Sequence, residues 1–188
     1  MRNKNTAGWR KRTSTAKNSP RIRPWLIDRG SLTALLQMLG PFSVILLRQH
    51  VAKPTRDEAQ ALGLKHTQQV WIREVRLLCA KRPVVFAHTV LPRRPRGPLI
   101  RWLARLGNRS LGALLFSHPR FVRGELMARP LDRRHALFRP AVKALGLCAA
   151  PPPILWARRS RFSFGAQSLL VTEIFSPEIG EFPSTPKA

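Results

Sequence analysis

Three ionisable side chains of different type, Arg73, His88 and Glu173, each interrupt an apolar, strand-like run. Glu173 is one of nine acids in a chain of formal net charge +25, and it stands inside Ser168-Leu-Leu-Val-Thr-Glu-Ile-Phe175. Alternation along a strand puts it on one face with Leu169, Val171 and Phe175. A buried, unpaired carboxylate is costly, so such a strand has either supplied a cation or raised the carboxyl's pKa. Arg73 lies in Val70-Trp-Ile-Arg-Glu-Val-Arg-Leu-Leu78, on a face with Trp71, Val75 and Leu77, while Glu74 and Arg76 share the other with Ile72 and Leu78. His88 sits with Val84, Phe86 and Val90 in the following run. If these faces converge, the sheet encloses a small pocket with a guanidinium and a carboxyl inside it. The plainer readings are a buried Arg73–Glu173 salt bridge and a core His88 satisfied by a backbone carbonyl.

The elements that would position these residues follow from the patterning. Ser31 caps a helix through Leu39, Gly40-Pro41 ends it, and Phe42 to Gln49 is a strand. Val51 to Gln69 is a polar loop with one helical turn near Asp57 to Leu62. Val70 to Leu78 and Val84 to Leu91 are strands joined by Cys79-Ala-Lys-Arg-Pro83, a hairpin-length link that makes them antiparallel. Pro98 to Gly107 and Ser110 to Phe116 are helices, the first with Leu99, Trp102, Leu103 and Leu106 on one face. Phe121 to Ala128 is a strand, and Ile154 to Phe164 joins Ser168 to Phe175 through Gly165-Ala-Gln as a closing hairpin. Between them, Arg129 to Pro153 is an Arg- and Pro-rich insertion with room for one helix. Strands that succeed one another without long helical crossovers favour an antiparallel sheet with helices over one face, an α+β fold.

A chain of 188 residues suits one domain, expected over residues 25–177, with a C-terminal tail at 178–188. Residues 1–24 carry eight basic residues and no acid, with no apolar segment directly after them; this is expected to be a disordered tail and not a secretory signal. Its Arg-rich, Ser- and Thr-containing composition also fits an organelle transit peptide. Thirty-four Lys and Arg attract a polyanion or a small anionic substrate without saying which. Cys79 and Cys148 form neither a CxxC pair nor a disulfide framework, and with the five His they show no zinc-type spacing, so a reducing compartment is expected. Ser31 to Leu47, the longest apolar stretch, is broken by Gln37 and Gly40-Pro41, which argues against a membrane span.

Several ordered motifs carry a resemblance. Gly30-Ser-Leu-Thr33, Trp71-Ile-Arg-Glu-Val75, Phe86-Ala-His-Thr-Val-Leu-Pro92, Leu106-Gly-Asn-Arg-Ser-Leu-Gly112 with Leu115-Phe116, Trp156-Ala-Arg-Arg-Ser160 and Leu169-Leu-Val-Thr-Glu-Ile-Phe175 together resemble chorismate pyruvate-lyase, over roughly residues 25 to 177. The resemblance implies conversion of chorismate to 4-hydroxybenzoate and pyruvate, the entry step of ubiquinone synthesis, by a cytoplasmic enzyme without metal or organic cofactor, expected to be a monomer. It also implies a six-stranded antiparallel sheet with helical flaps over an internal ligand pocket. The family's ligand-contacting positions fall on Arg73, Glu173, Leu32 and Leu111, the last two acting largely through the backbone. His88 stands where the motif can carry Arg, and Ala157 where Gly is usual. The cation for a second substrate carboxylate is therefore His88, Arg48, Arg76 or Arg158. Arg73 would clamp the ring carboxylate, and Glu173 would either orient the C4 hydroxyl or donate toward the ether oxygen.

Two other classes compete. A basic nucleic-acid-binding protein fits the charge and the tail, but the chain has no Tyr, its five Trp stand mostly at apolar-pattern positions, and it has no aromatic RNA-binding or helix-turn-helix motif. A non-catalytic relative that binds a small aromatic acid rests only on the departure at His88.

Overall fold

The computed structural model describes residues 8–11, 20–93 and 98–183. One antiparallel sheet runs through it, built from β1 (Arg10–Lys11), β2 (Phe42–Ala52), β3 (Val70–Cys79), β4 (Arg82–Pro92), β5 (Phe121–Leu131), β6 (Leu155–Phe164) and β7 (Gln167–Phe175). The six long strands are those expected, and the two-residue β1 adds itself to the edge beside β5, giving the order β1-β5-β6-β7-β4-β3-β2. β3 and β4 are joined by Ala80 and Lys81, both at positive φ (49° and 65°), the backbone of a tight primed turn whose twist matches the strands. Neither residue is Gly or Asn, so pairing of the flanking strands holds a turn that local propensity does not favour.

The helices are α1 (Arg23–Ile27), α2 (Leu32–Leu39), α3 (Arg56–Leu62), α4 (Pro98–Ala104), α5 (Leu111–Ser117) and α6 (Phe138–Ala144). Side-chain caps start three of them. Ser31 Oγ accepts from the Ala34 N–H, Ser110 Oγ from the Ala113 N–H, and Thr55 and Glu58 form a reciprocal capping box. The expected helical layer covers one face of the sheet, where Trp25, Leu26, Leu32 and Leu36 pack with Val75, Leu77, Ala87 and Phe175. Beside them Leu99, Leu111 and Leu115 meet Phe162 and Leu169. The opposite face is covered too. The helix of the 129–153 insertion, α6, lays Phe138 and Ala141 on Phe86, Ala157 and Ile174, while Leu62 of α3 meets Ile72, Val90 and Leu170. The central strands are thus buried on both sides, which is why β4 reads as a nearly continuous apolar run and not as an alternation.

Core residues also lie outside 25–177. The basic tail was expected to contribute nothing to packing, yet Trp9 is 4% exposed among Leu137, Phe138 and Leu155. Its indole Nε1 donates to Asp57 Oδ2 at 3.0 Å, and the Arg159 guanidinium lies 4.2 Å from the ring centroid. One large aromatic thus joins the core from within a polar segment, and composition averaged over the segment conceals it. At the other end, a 3₁₀ turn over Pro177–Glu181 buries Ile179 completely, and Arg82 pairs with Glu178 and Glu181. Among the described residues no helix is long and apolar enough to cross a membrane.

Trp9→Ala should therefore destabilise the protein by about 3 kcal/mol, the cost of emptying a buried aromatic site. Urea unfolding followed by circular dichroism measures it, and an unchanged midpoint would remove Trp9 from the core.

Candidate active site

Strand register sets the site. Val75, Ala87, Glu173 and Arg158 lie side by side across β3, β4, β7 and β6; Arg73, Thr89, Val171 and Ser160 form the next row on the same face. Arg73 and Glu173 stand two strands and one row apart, roughly 12 Å between Cα atoms at ordinary strand spacing and rise. Ala87, Thr89 and Val171 between them are small, so the floor is hollow. Leu32 and Thr33 of α2, Leu111, Gly112 and Phe116 of α5 and Arg123 of β5 complete the walls. Arg73, Glu173, Leu32 and Leu111, which the sequence proposed as a group, thus line one chamber. Little of it is open: the centres of water-sized molecules fit in only about 40 Å³. The two covering helices meet through Thr33 Oγ1 and Ser110 Oγ, which share a 2.7 Å hydrogen bond. Glycine at 112 permits this approach, since a Cβ there would come within 2.6 Å of Thr33 Oγ1.

Arg73 is buried, 3% exposed, and Nη2 donates to the carbonyls of Gly107 (2.7 Å) and Arg109 (3.0 Å). Its Nε has no hydrogen-bond partner, and among the described residues no carboxylate pairs with it. Burial without a counter-ion pulls its pKa from 12.5 down to about 10. The cation supplied to Glu173 is Arg158, not Arg73. Arg158 Nε donates to Glu173 Oε2 at 2.5 Å, and Nη1 donates to the carbonyls of Trp25 (2.7 Å) and Asp28 (3.0 Å). A third guanidinium, Arg123, donates to Ser160 Oγ and to the carbonyls of Arg29 and Gly30, and lies 5.4 Å from the ring centroids of Phe116 and Phe162. Burial first, then repulsion from Arg158, lowers its pKa to about 10, and it too has no carboxylate pair among the described residues. Three arginines against one carboxylate leave the chamber with an excess of two positive charges, the complement of a dianion.

His88 does not belong to this site. Two residues of turn with regular pairing would set it opposite Arg73, but the ladder shifts by one between Leu77 and Leu78, so that Arg73 faces Thr89 and Glu74 faces His88. A one-residue shift exchanges the faces of a strand. His88 therefore lies on the far side of the sheet, with Nδ1 2.9 Å from Glu74 Oε1 and Nε2 3.1 Å from Glu58 Oε1. Glu74 in turn accepts from Arg48 Nε at 2.5 Å. Burial opposes the charge on His88, yet its ion pair with Glu58 and its hydrogen bond with Glu74 prevail and raise its pKa to about 9. Burial likewise opposes the charge on Glu74, and His88 and Arg48 hold it down at about 2. Arg48 and Arg76 also face away from the chamber, so of the alternative cations only Arg158 lines it. Sequence reading missed Arg123. The available signal was Gly124, a glycine inside a strand, which marks the irregularity between Arg123 and Leu126.

A sequence profile described as chorismate lyase matches residues 3–181. This chain belongs to the chorismate lyase family. A probable chorismate pyruvate-lyase of Aromatoleum aromaticum is 45% identical over 181 residues, covering 94% of this chain and 95% of the relative. One of Dechloromonas aromatica is 46% identical over 172 residues, covering 91% and 95%. The effector domain of PhnF from Mycobacterium smegmatis has the same fold, with a TM-score of 0.54 at 20% identity over 81% of this chain and 91% of that one. The C-terminal domain of the histidine utilization repressor from Pseudomonas syringae also shares it, with a TM-score of 0.53 at 13% identity over 73% and 93%. In this chorismate lyase family member the chamber, with Arg73 and Glu173 on its floor, is thus the candidate active site.

The far-side network makes stability depend on pH. The contribution of His88 is complete below pH 6.5 and is lost as pH rises through about 9; that of Glu74 is complete above pH 4.5 and is lost as pH falls through about 2. Urea midpoints measured from pH 5 to 9.5 should fall along the alkaline limb, and His88→Gln should flatten that limb. An alkaline slope unchanged by the substitution would mean His88 carries no charge.

Proposed function

We propose that this protein converts chorismate to 4-hydroxybenzoate and pyruvate, supplying the aromatic ring for ubiquinone synthesis. The observation that carries this reading is a pair of arginines without carboxylate partners among the described residues, buried Arg73 and half-buried Arg123, facing a chamber in which Glu173 is held by Arg158. Chorismate has two carboxylates, one on the ring and one on the enolpyruvyl side chain. Arg73 clamps the ring carboxylate, and Arg123 receives that of the side chain. Glu173 Oε2 is taken by Arg158, whereas Oε1 has no hydrogen-bond partner among the described residues and accepts from the C4 hydroxyl. Of the two roles left open by the sequence, this favours orienting over proton donation, because a carboxylate bound to a guanidinium has lone pairs to offer.

The reaction breaks the C4–H and C3–O bonds; overall the hydrogen ends on the enolpyruvyl methylene carbon, which becomes the methyl of pyruvate, the ether oxygen becomes its keto oxygen, and the ring becomes aromatic. Much of the driving force is in the substrate. The chamber acts by holding the enolpyruvyl group near the C4 hydrogen and by surrounding the departing ether oxygen with fixed positive charge. We read it as a monomeric cytoplasmic enzyme that needs no cofactor, since the elimination is redox-neutral and its driving force lies in the substrate. The reading as a non-catalytic binder loses its basis, since His88 lies outside the chamber. The direct test is to incubate purified protein with chorismate and no added metal and to follow 4-hydroxybenzoate and pyruvate; equimolar products support the proposal, and unchanged chorismate overturns it.

Arg73→Ala should reduce kcat/KM about a hundredfold or more, with Arg73→Lys recovering part of it, whereas Arg123→Ala should act mainly by raising KM about tenfold. Steady-state kinetics on folded variants separates the two, and near-normal efficiency in Arg73→Ala would remove the clamp. Glu173→Gln keeps size but loses the charge that Arg158 holds in place and that accepts from the C4 hydroxyl, so it should still bind 4-hydroxybenzoate and lose roughly a hundredfold in turnover. A variant that is less stable yet turns over normally would make Glu173 a structural partner of Arg158 only.

A further inference from the structure

The far face of the sheet carries a second cleft, of about 590 Å³, between the edge strand β2 and helix α6. Phe86 lies at its base, and Arg48, Arg76, Arg139 and Lys143 surround it. Its one acid, Glu74, is already engaged by Arg48 and His88. Among the described residues, no acid pairs with Arg76, Arg139 or Lys143. Arg76 is the least satisfied: Nη1 makes one long bond, 3.4 Å, to the Ala144 carbonyl, and Nε is shut from solvent with no partner. A guanidinium in this state lacks an acceptor that a ligand would supply. The bulge between Leu46 and Arg48 contributes to this arrangement, because it sets Arg48, and not Leu47, opposite Glu74.

We propose that this cleft is a second binding site, separate from the chamber, for a small amphiphilic anion: an apolar, preferably aromatic body with a carboxylate, sulfonate or phosphate group. The body rests against Phe86, Leu47 and Pro140, and the anionic group meets Arg76, Arg139 and Lys143. The volume is that of a small-molecule site, and the combination of an aromatic base with a cationic rim selects neither a purely apolar ligand nor a bare ion. The strands separate this cleft from the chamber, with Arg73 facing one and its neighbour Glu74 the other.

The test uses the full chain and 8-anilino-1-naphthalenesulfonate, followed by fluorescence at fixed ionic strength. One saturable site per chain is expected. Arg139→Glu with Lys143→Glu, both on the exposed side of α6, should weaken binding tenfold or more, and Arg76→Gln should do the same. Arg73→Ala should leave it within twofold, and inorganic phosphate at the same ionic strength should displace little of the dye. Dye binding that ignores the α6 substitutions overturns the proposal, as does binding abolished by Arg73→Ala, which would put the dye in the chamber. Several dyes per chain, or complete displacement by phosphate, would reduce the cleft to a patch of general positive charge.

Discussion

Arg158 is the charge around which the sheet and its cover are organised. Its side chain is 1% exposed, and a cation that deeply buried persists only where its partners are fixed in place. Those partners are Glu173 on the neighbouring strand and two carbonyls, of Trp25 in α1 and of Asp28 just beyond it. The segment from α1 to α2 is thereby tied to the sheet, and the start of α2 delivers Leu32 and Thr33 to the chamber wall. The same bond sets Glu173. Under the proposed function the ion pair is structural and functional at once, since the contact that holds the cover is also the one that aims the carboxylate.

The opposite side of the sheet repeats the solution with other groups. Consecutive residues on three strands send one polar side chain each way: Arg73 and Glu74 on β3, Arg158 and Arg159 on β6, Thr172 and Glu173 on β7. On the far side Arg159 meets Asp57, and His88 is shared by Glu58 and Glu74. The acids Asp57 and Glu58 come from α3, whose capping box fixes their position relative to the sheet. Asp57, Glu58, Glu74 and Glu173 stand against the buried cations Arg159, His88 and Arg158, whereas among the described residues Arg73 and Arg123 have no carboxylate partner in the chamber.

Arg73 and Glu173 were legible because a charged residue inside an apolar strand is conspicuous and alternation assigns it a face. Leu32 and Leu111 were not visible in this way; only family resemblance pointed to them, since an apolar residue in a helix's first turn looks like any other core residue. His88 was misplaced because the face of a strand relative to its neighbour depends on register, and a single extra residue at the bulge carries no compositional mark. Arg123 was hidden in Phe121–Leu131, where several residues are exposed and an arginine is unremarked. Trp9 was hidden by the charges around it. Local pattern thus revealed which side chains were unusual, whereas long-range pairing decided which of them met.

The β3–β4 bulge bears on how the chain reaches this fold. A hairpin closed without it would keep the same tight turn and the same number of strands, so turn geometry alone does not reject it. Electrostatics does. In that register Arg73 would face His88, and Glu74 would lose its place beside the imidazole, its carboxylate turned to the other face. The alternation of Arg73 and Glu74 therefore discriminates between registers: the slipped hairpin, viable in backbone terms, forfeits the bonds that Glu74 makes to Arg48 and His88.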